Sequence, residues 1–143
     1  YGGLYQWGRL TDGHEKRSSS VTPDFTYLSS EDVPGHGDFI KAPPPYYDWR
    51  TPQNNSLWQG VSGTNNPCPS GFRLPTATEF DAERISWVED NGSTNDSEGA
   101  FASSLKLVMA GFRNHYAGEI EEVGIRGEYW SSMSVLFAIL PNA

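Results

Sequence analysis

Cys68, the only cysteine among 143 residues, sits between two prolines in "NNPCPSGFRLPTATEF" (residues 65–80). A cysteine becomes a nucleophile when a neighbouring base or cation favours its thiolate. Here the nearest basic residue in sequence is Arg73. Pro67 and Pro69 stiffen the backbone, which suits a sulfur whose position matters more than its reactivity. One cysteine permits no internal disulfide, and an odd one in an exported chain points to a partner on another segment or chain. His14, His36 and His115 stand alone, and only "HGD" (36–38) sets a histidine beside a carboxylate. Zinc needs ligands at closer spacing, so these read as exposed loop histidines and no metal ligands are assigned. Two acidic stretches, "SSEDVPGHGD" (29–38) and "EDNGSTNDSEG" (89–99), carry the oxygen donors that calcium prefers. Neither has the EF-hand spacing, so calcium stands as an alternative on ligand type alone and no other cofactor is expected.

The templates for catalysis fail in turn. The chain has neither a "GxGxxG" between strand and helix nor a P-loop, so nucleotide phosphates find no cradle. Paired carboxylates for glycoside hydrolysis cannot be assigned without a fold. With no nucleophile–base or metal constellation, the expectation is a chain that is not an enzyme.

Charge narrows the partners. Eighteen Asp and Glu against ten Lys and Arg give a formal net charge of −8. Nucleic acid needs a basic cluster to displace counterions, and the densest basic group is "HEKR" (14–17). Anionic membranes are disfavoured for the same reason. The longest apolar run, Val135–Leu140 in "VLFAILPNA", is far too short to span a bilayer. The chain opens at Tyr1 with neither Met nor a leader, which places any signal peptide outside it.

Aromatic residues reach 13%, with fifteen Gly and ten Pro. This composition suits a turn-rich domain with a core of rings and argues against a helix bundle. Tyr1, Gly3, Tyr5 and Trp7 alternate, which predicts an opening strand with an aromatic face. Residues 10–48 are punctuation, including Pro43–Pro45, where polyproline II is expected. The rings Phe25, Tyr27, Phe39, Tyr46, Tyr47 and Trp49 in this stretch argue for order. The clearest signal is helical: Thr76 and Glu79 have capping-box spacing. Ala77, Phe80, Arg84, Trp87 and Val88 then form an apolar stripe, predicting a helix over about 76–88. Leu105, Leu107 and Met109 suit a strand, and Phe101–Leu105 a short helical turn. Ile120, Val123 and Ile125 between glycines predict a hairpin, and "EYWSSM" a strand with Trp130 inward.

"YGGLYQWGR", "NNPCPSGFRLPTATEF", "LKLVMAGFRN" and "GEYWSS", in this order, resemble the Fibrobacter succinogenes major paralogous domain family. Its members carry similar "LYxWGR", "CPSGFRLPTxxEW", "LKLxMAGxR" and "GYYWSS" blocks. The resemblance implies a single domain over residues 1–143 with an α+β, C-type lectin-like fold, similar also to the formylglycine-generating enzyme. That enzyme shares an "RLPTEAEW"-type block, matched here by Arg73, Leu74, Pro75, Thr76 and Glu79. Its copper-binding cysteine pair has no counterpart, so its activity is not expected. Relative to the family, the chain lacks the first and last strands, as a truncated domain would. The final strands end near an "SVRC" motif, whose cysteine the resemblance implies as the partner of Cys68.

The combined expectation is a secreted or surface-bound recognition and adhesion domain of a bacterial or phage protein. Its ligand is a glycan or a cell-surface protein, bound through aromatic-rich loops. Trp49, Trp58, Arg113, Asn114, Tyr116 and Trp130 are the candidates for stacking and hydrogen bonding, with core packing the competing role for Trp130. The alternative is a structural subunit of a filament or virion, a homo-oligomer or larger assembly in which a neighbour adds a strand beside Val135–Leu140.

Overall fold

The computed structural model describes residues 1–89 and 96–141. The fold is α+β, with two helices and two short two-stranded sheets among the described residues. The chain divides into two compact units: Gly2–Leu74 with Arg113–Ile120, and Pro75–Phe112 with Glu121–Ala143 and Tyr1. We call them the loop unit and the helix–hairpin unit. No helix of the described residues is long and apolar enough to cross a membrane.

The helix–hairpin unit is built from regular elements. Helix α1 (Ala77–Glu89) starts where the capping box places it. The Glu79 N–H donates to Thr76 Oγ1 at 3.2 Å, and the Thr76 N–H donates to Glu79 Oε2 at 2.8 Å. Its buried stripe is narrower than expected: Phe80 and Trp87 are buried, whereas Val88 is half exposed. Helix α2 (Ser97–Ala102) is capped by Asp96 and begins earlier than the expected turn. Strand β3 (Gly127–Trp130) pairs antiparallel with β4 (Leu136–Ile139), setting Gly127 opposite Ile139 and Trp130 opposite Leu136. The apolar run thus closes the chain's own hairpin. Phe137 and Ile139 join Phe80, Trp87 and Ala100 in the core, where Phe80 and Phe137 stack at 4.7 Å. Burying one such ring contributes about 2–3 kcal/mol. Residues 105–109 form no strand. Leu107 and Met109 pack on the core, while the Tyr129 hydroxyl accepts from the Val108 N–H at 2.7 Å and donates to its carbonyl at 2.6 Å. A side chain occupies the place of a neighbouring strand.

The loop unit is held differently. Its helical element among the described residues is a 3-10 turn at Phe25–Tyr27. The 113–120 excursion leaves and returns through β1 (Phe112–Arg113) and β2 (Ile120–Glu121), a two-stranded sheet. The expected opening strand is absent because its backbone is satisfied by distant side chains. The carbonyls of Trp7, Gly8 and Arg9 accept from Trp49 Nε1 (2.7 Å), Asn65 Nδ2 (2.8 Å) and Trp58 Nε1 (3.1 Å). The Gln6 amide accepts from the Ile40 N–H and donates to the Ile40 carbonyl, at 3.0 and 2.7 Å. Ile40, Trp49 and Leu57 form the apolar core beneath. Pro43–Pro45 runs into a turn closed by the Tyr47 N–H on the Pro43 carbonyl, with the Pro44–Pro45 peptide cis, where polyproline II was expected.

Candidate functional site

Six residues were expected to bind ligand, and the structure sorts them by exposure. Trp49 and Trp58 are 2% and 1% exposed, and each indole N–H is engaged with a backbone carbonyl. Neither ring offers a face, so both leave the candidate set. Trp130 lies half-buried on β3 of the helix–hairpin unit. Arg113 and Asn114 are half-buried and shape the surface, and Tyr116 is the candidate that stands exposed.

Three stretches of the loop unit converge around Tyr116. Asn114 builds the tip that carries it: its Oδ1 accepts from the Tyr116 and Ala117 N–H groups at 2.8 and 3.0 Å. Gly118 closes the tip at φ +78, and a Cβ there would collide with the Val21 side chain, so glycine is required. Arg113 fastens the loop to the 16–21 stretch. Its Nε donates to the Gly118 carbonyl at 2.8 Å, and its terminal nitrogens donate to Ser19 Oγ and the Ser19 carbonyl at 2.5 and 2.8 Å. The guanidinium lies over the Phe39 ring, 4.6 Å from its centroid. The Ala42 N–H donates to the His115 carbonyl at 2.8 Å, which ties in the 42–47 turn. Asp24 caps the Phe25–Tyr27 turn through the Thr26 N–H at 2.8 Å.

Two ring pairs result. Phe25 meets Tyr116 at 4.9 Å and Tyr47 meets His115 at 4.2 Å. Tyr116 and Tyr47 remain 55% and 52% exposed, and Tyr46 reaches 73%. Phe25, Tyr46, Tyr47 and His115 were not among the expected site residues. The available signal was local: Asn114 and Gly118 bracket "HYA" as a tight tip that must project its rings.

Elsewhere in the loop unit Asp12, His14 and Glu15 gather ligand atoms within 4.8 Å of one another. His14 is fully buried, contrary to the expectation of an exposed loop histidine. Its Nδ1 lies 2.6 Å from Asp12 Oδ1, and its Nε2 accepts from the Gln6 N–H at 3.0 Å. A cation on Nδ1 would need that lone pair and would move the proton to Nε2, against the Gln6 N–H. The donor set therefore does not fit a metal. Burial, with the charge of Arg9, lowers the His14 pKa from 6.5 to about 4. Burial alone would raise Asp12, but hydrogen bonds from His14 and Arg9 outweigh it and hold the carboxylate below its usual range. Arg9, fully buried, donates to Asp12, to Gln6 and to the carbonyls of His36 and Asp38.

In the acidic 29–38 stretch, Asp32 engages Arg50 at 2.8 Å and Asn54 at 3.1 Å. Of the second stretch, residues 90–95 lie outside the described residues. Cys68 is a half-buried free thiol whose pKa burial pushes up, the opposite of an activated nucleophile. Its loop is held by Asn66, which accepts from the Cys68 N–H at 3.1 Å and donates to the Phe72 carbonyl at 2.8 Å. No protein-family model, curated protein or solved structure matches the chain.

Proposed function

We propose that the chain is a non-enzymatic recognition domain of a bacterial surface or phage protein, of the C-type lectin-like kind that the sequence blocks resemble. Its ligand, a glycan or a surface protein, docks outside the cell on the loop unit. One observation carries the reading: the adjacent His115 and Tyr116 of one tightly tied tip each hold a ring partner, Tyr47 and the half-buried Phe25. Rigid rings supply contact area at small entropic cost. Exposed apolar groups gathered together, rather than scattered singly, mark interaction sites. The polar ties of Arg113 and Asn114 hold the rings in place before any ligand arrives. The alternative, a subunit docked through its apolar tail, draws less support, since Phe137 and Ile139 already fill the chain's own core.

Screening the chain against arrays of surface glycans and extracellular proteins, with Tyr116→Ala alongside, tests the reading. The variant should lose most of the binding while its thermal unfolding stays within about 0.5 kcal/mol of the parent, as for other exposed positions. Undiminished binding by the variant would remove the patch from the site.

A further inference from the structure

We propose that His14 is a proton-operated latch on the tip: a second proton on its ring releases the Arg113 fastening, and with it the loop that carries Tyr116. Both ring nitrogens are already committed. Nδ1 donates to Asp12 Oδ1 at 2.6 Å, and Nε2 accepts from the Gln6 N–H at 3.0 Å. A proton on Nε2 would point at another N–H, and the ring, fully buried, cannot turn to solvent for an acceptor. The charged groups facing it pull both ways. Asp12, and Glu15 with its Oε2 3.7 Å from Nδ1, favour a charged ring. Burial and the Arg9 guanidinium outweigh them and hold the pKa at about 4. Tyr5 meets the ring at right angles, 5.6 Å between centroids.

The step from His14 to the tip is short. Residues 13–19 form two linked turns, closed by the Lys16 N–H on the Gly13 carbonyl and the Ser19 N–H on the Lys16 carbonyl. Ser19 Oγ donates back to the His14 carbonyl at 2.9 Å. Arg113 holds these same turns, through Ser19 Oγ and the carbonyls of Ser19 and Lys16, while its Nε holds Gly118 at the tip. When the ring leaves its place, the His14 backbone moves with it. Ser19 then loses its anchor, and the tip loses the stretch it is tied to. On the recognition reading a ligand bound at the tip is released in acid; the latch itself does not depend on that reading.

Hydrogen exchange on the full chain, read by NMR and corrected for intrinsic rates, tests the latch without any ligand. The amides to follow are Asn114 and Gly118, bonded to the Glu119 and Asn114 carbonyls. The open form takes up a proton that the closed form refuses. Protection of these amides should therefore fall roughly a hundredfold as pH drops from 6.5 to about 4. The β3–β4 amides should remain the better protected at the acid end, because the opening leaves that ladder closed. His14→Gln keeps an acceptor for the Gln6 N–H and a donor for Asp12 but takes up no proton, so its tip should hold across this range. His115 is unchanged in the variant, and its own charging cancels in the comparison. If the variant does not fold, the parent alone decides, since the loss of protection must track the His14 ring resonances. A tip that stays protected while His14 titrates would overturn the latch, as would the same loss in His14→Gln. Tip and ladder converging on one protection at the acid end would mean that only the whole molecule opens, and would overturn it too.

Discussion

The two units satisfy the same requirement, a partner for every buried backbone group, by opposite means. In the helix–hairpin unit, partners come from α1, from the β3–β4 ladder and from a reciprocal cap, all near in sequence. In the loop unit, beside scattered backbone bonds such as Thr22–Phe39 and Ser29–Trp49, they come from side chains far off in sequence: two indoles, two amides and a buried guanidinium. Regular structure tolerates substitution because each bond is one of many alike. A backbone held by single side chains does not, since one truncation orphans groups that water cannot reach. The return is freedom of path: loops so held can bring Phe25, Tyr47 and Tyr116 to one place, which neither a helix nor a ladder would allow.

The contrast breaks first at Arg9. Arg9→Ala leaves Asp12 without its ion pair and two carbonyls without donors, so a loss of about 3–5 kcal/mol is expected in urea denaturation. A loss under about 1 kcal/mol would show that the loop unit does not depend on single side chains. Acid probes the same cluster. The His14 pKa of about 4 lies below the unfolded 6.5, so the unfolded chain takes up a proton that the fold refuses. Stability should therefore fall as pH drops from 6.5 to 4, by roughly 3 kcal/mol. The depressed Asp12 acts in the same direction at the acid end. Ring resonances of His14 that titrate near pH 6.5 in the folded chain would refute this.

Smaller effects sharpen the comparison from the other side. At Tyr129 the helix–hairpin unit uses the loop unit's device, a side chain bonding backbone 21 residues away. Tyr129→Phe orphans the Val108 N–H and carbonyl and should cost about 1–2 kcal/mol, read as a shifted urea midpoint with unchanged slope. Thr76→Ala removes only a cap and should cost about 1 kcal/mol. A cap that mattered more than Tyr129 would invert the ranking of the two devices.

What could be read from the sequence follows the same division. The Thr76–Glu79 box was legible because both partners lie within one turn, and the α+β class because its signals are short-range. The opening segment misled because alternation reports faces, and nothing in "LYQWGR" says that Trp49, Trp58 and Asn65 will take its carbonyls. Trp49 and Trp58 looked like binding rings for the same reason: a loop tryptophan gives no local sign of which side of the chain it will occupy. The tail was read as an edge open to a neighbour; the structure pairs it with β3 in a two-stranded sheet, and "SSMS" between "EYW" and "VLFAIL" leaves just the chain needed to turn back. His14 carried no signal at all, since its burial depends on residues 6, 9 and 12 folding around it.

The three carbonyls at Trp7–Arg9 also bear on time. Their donors lie 42, 57 and 49 residues downstream, so these carbonyls wait for segments made well after them. Such long-range closure slows folding relative to locally wired elements. On the ribosome, the Trp7, Gly8 and Arg9 carbonyls stay without these donors until Asn65 has emerged and found Gly8, a delay that pulse-labelled exchange would read as late protection of the Trp49 and Trp58 indole N–H groups.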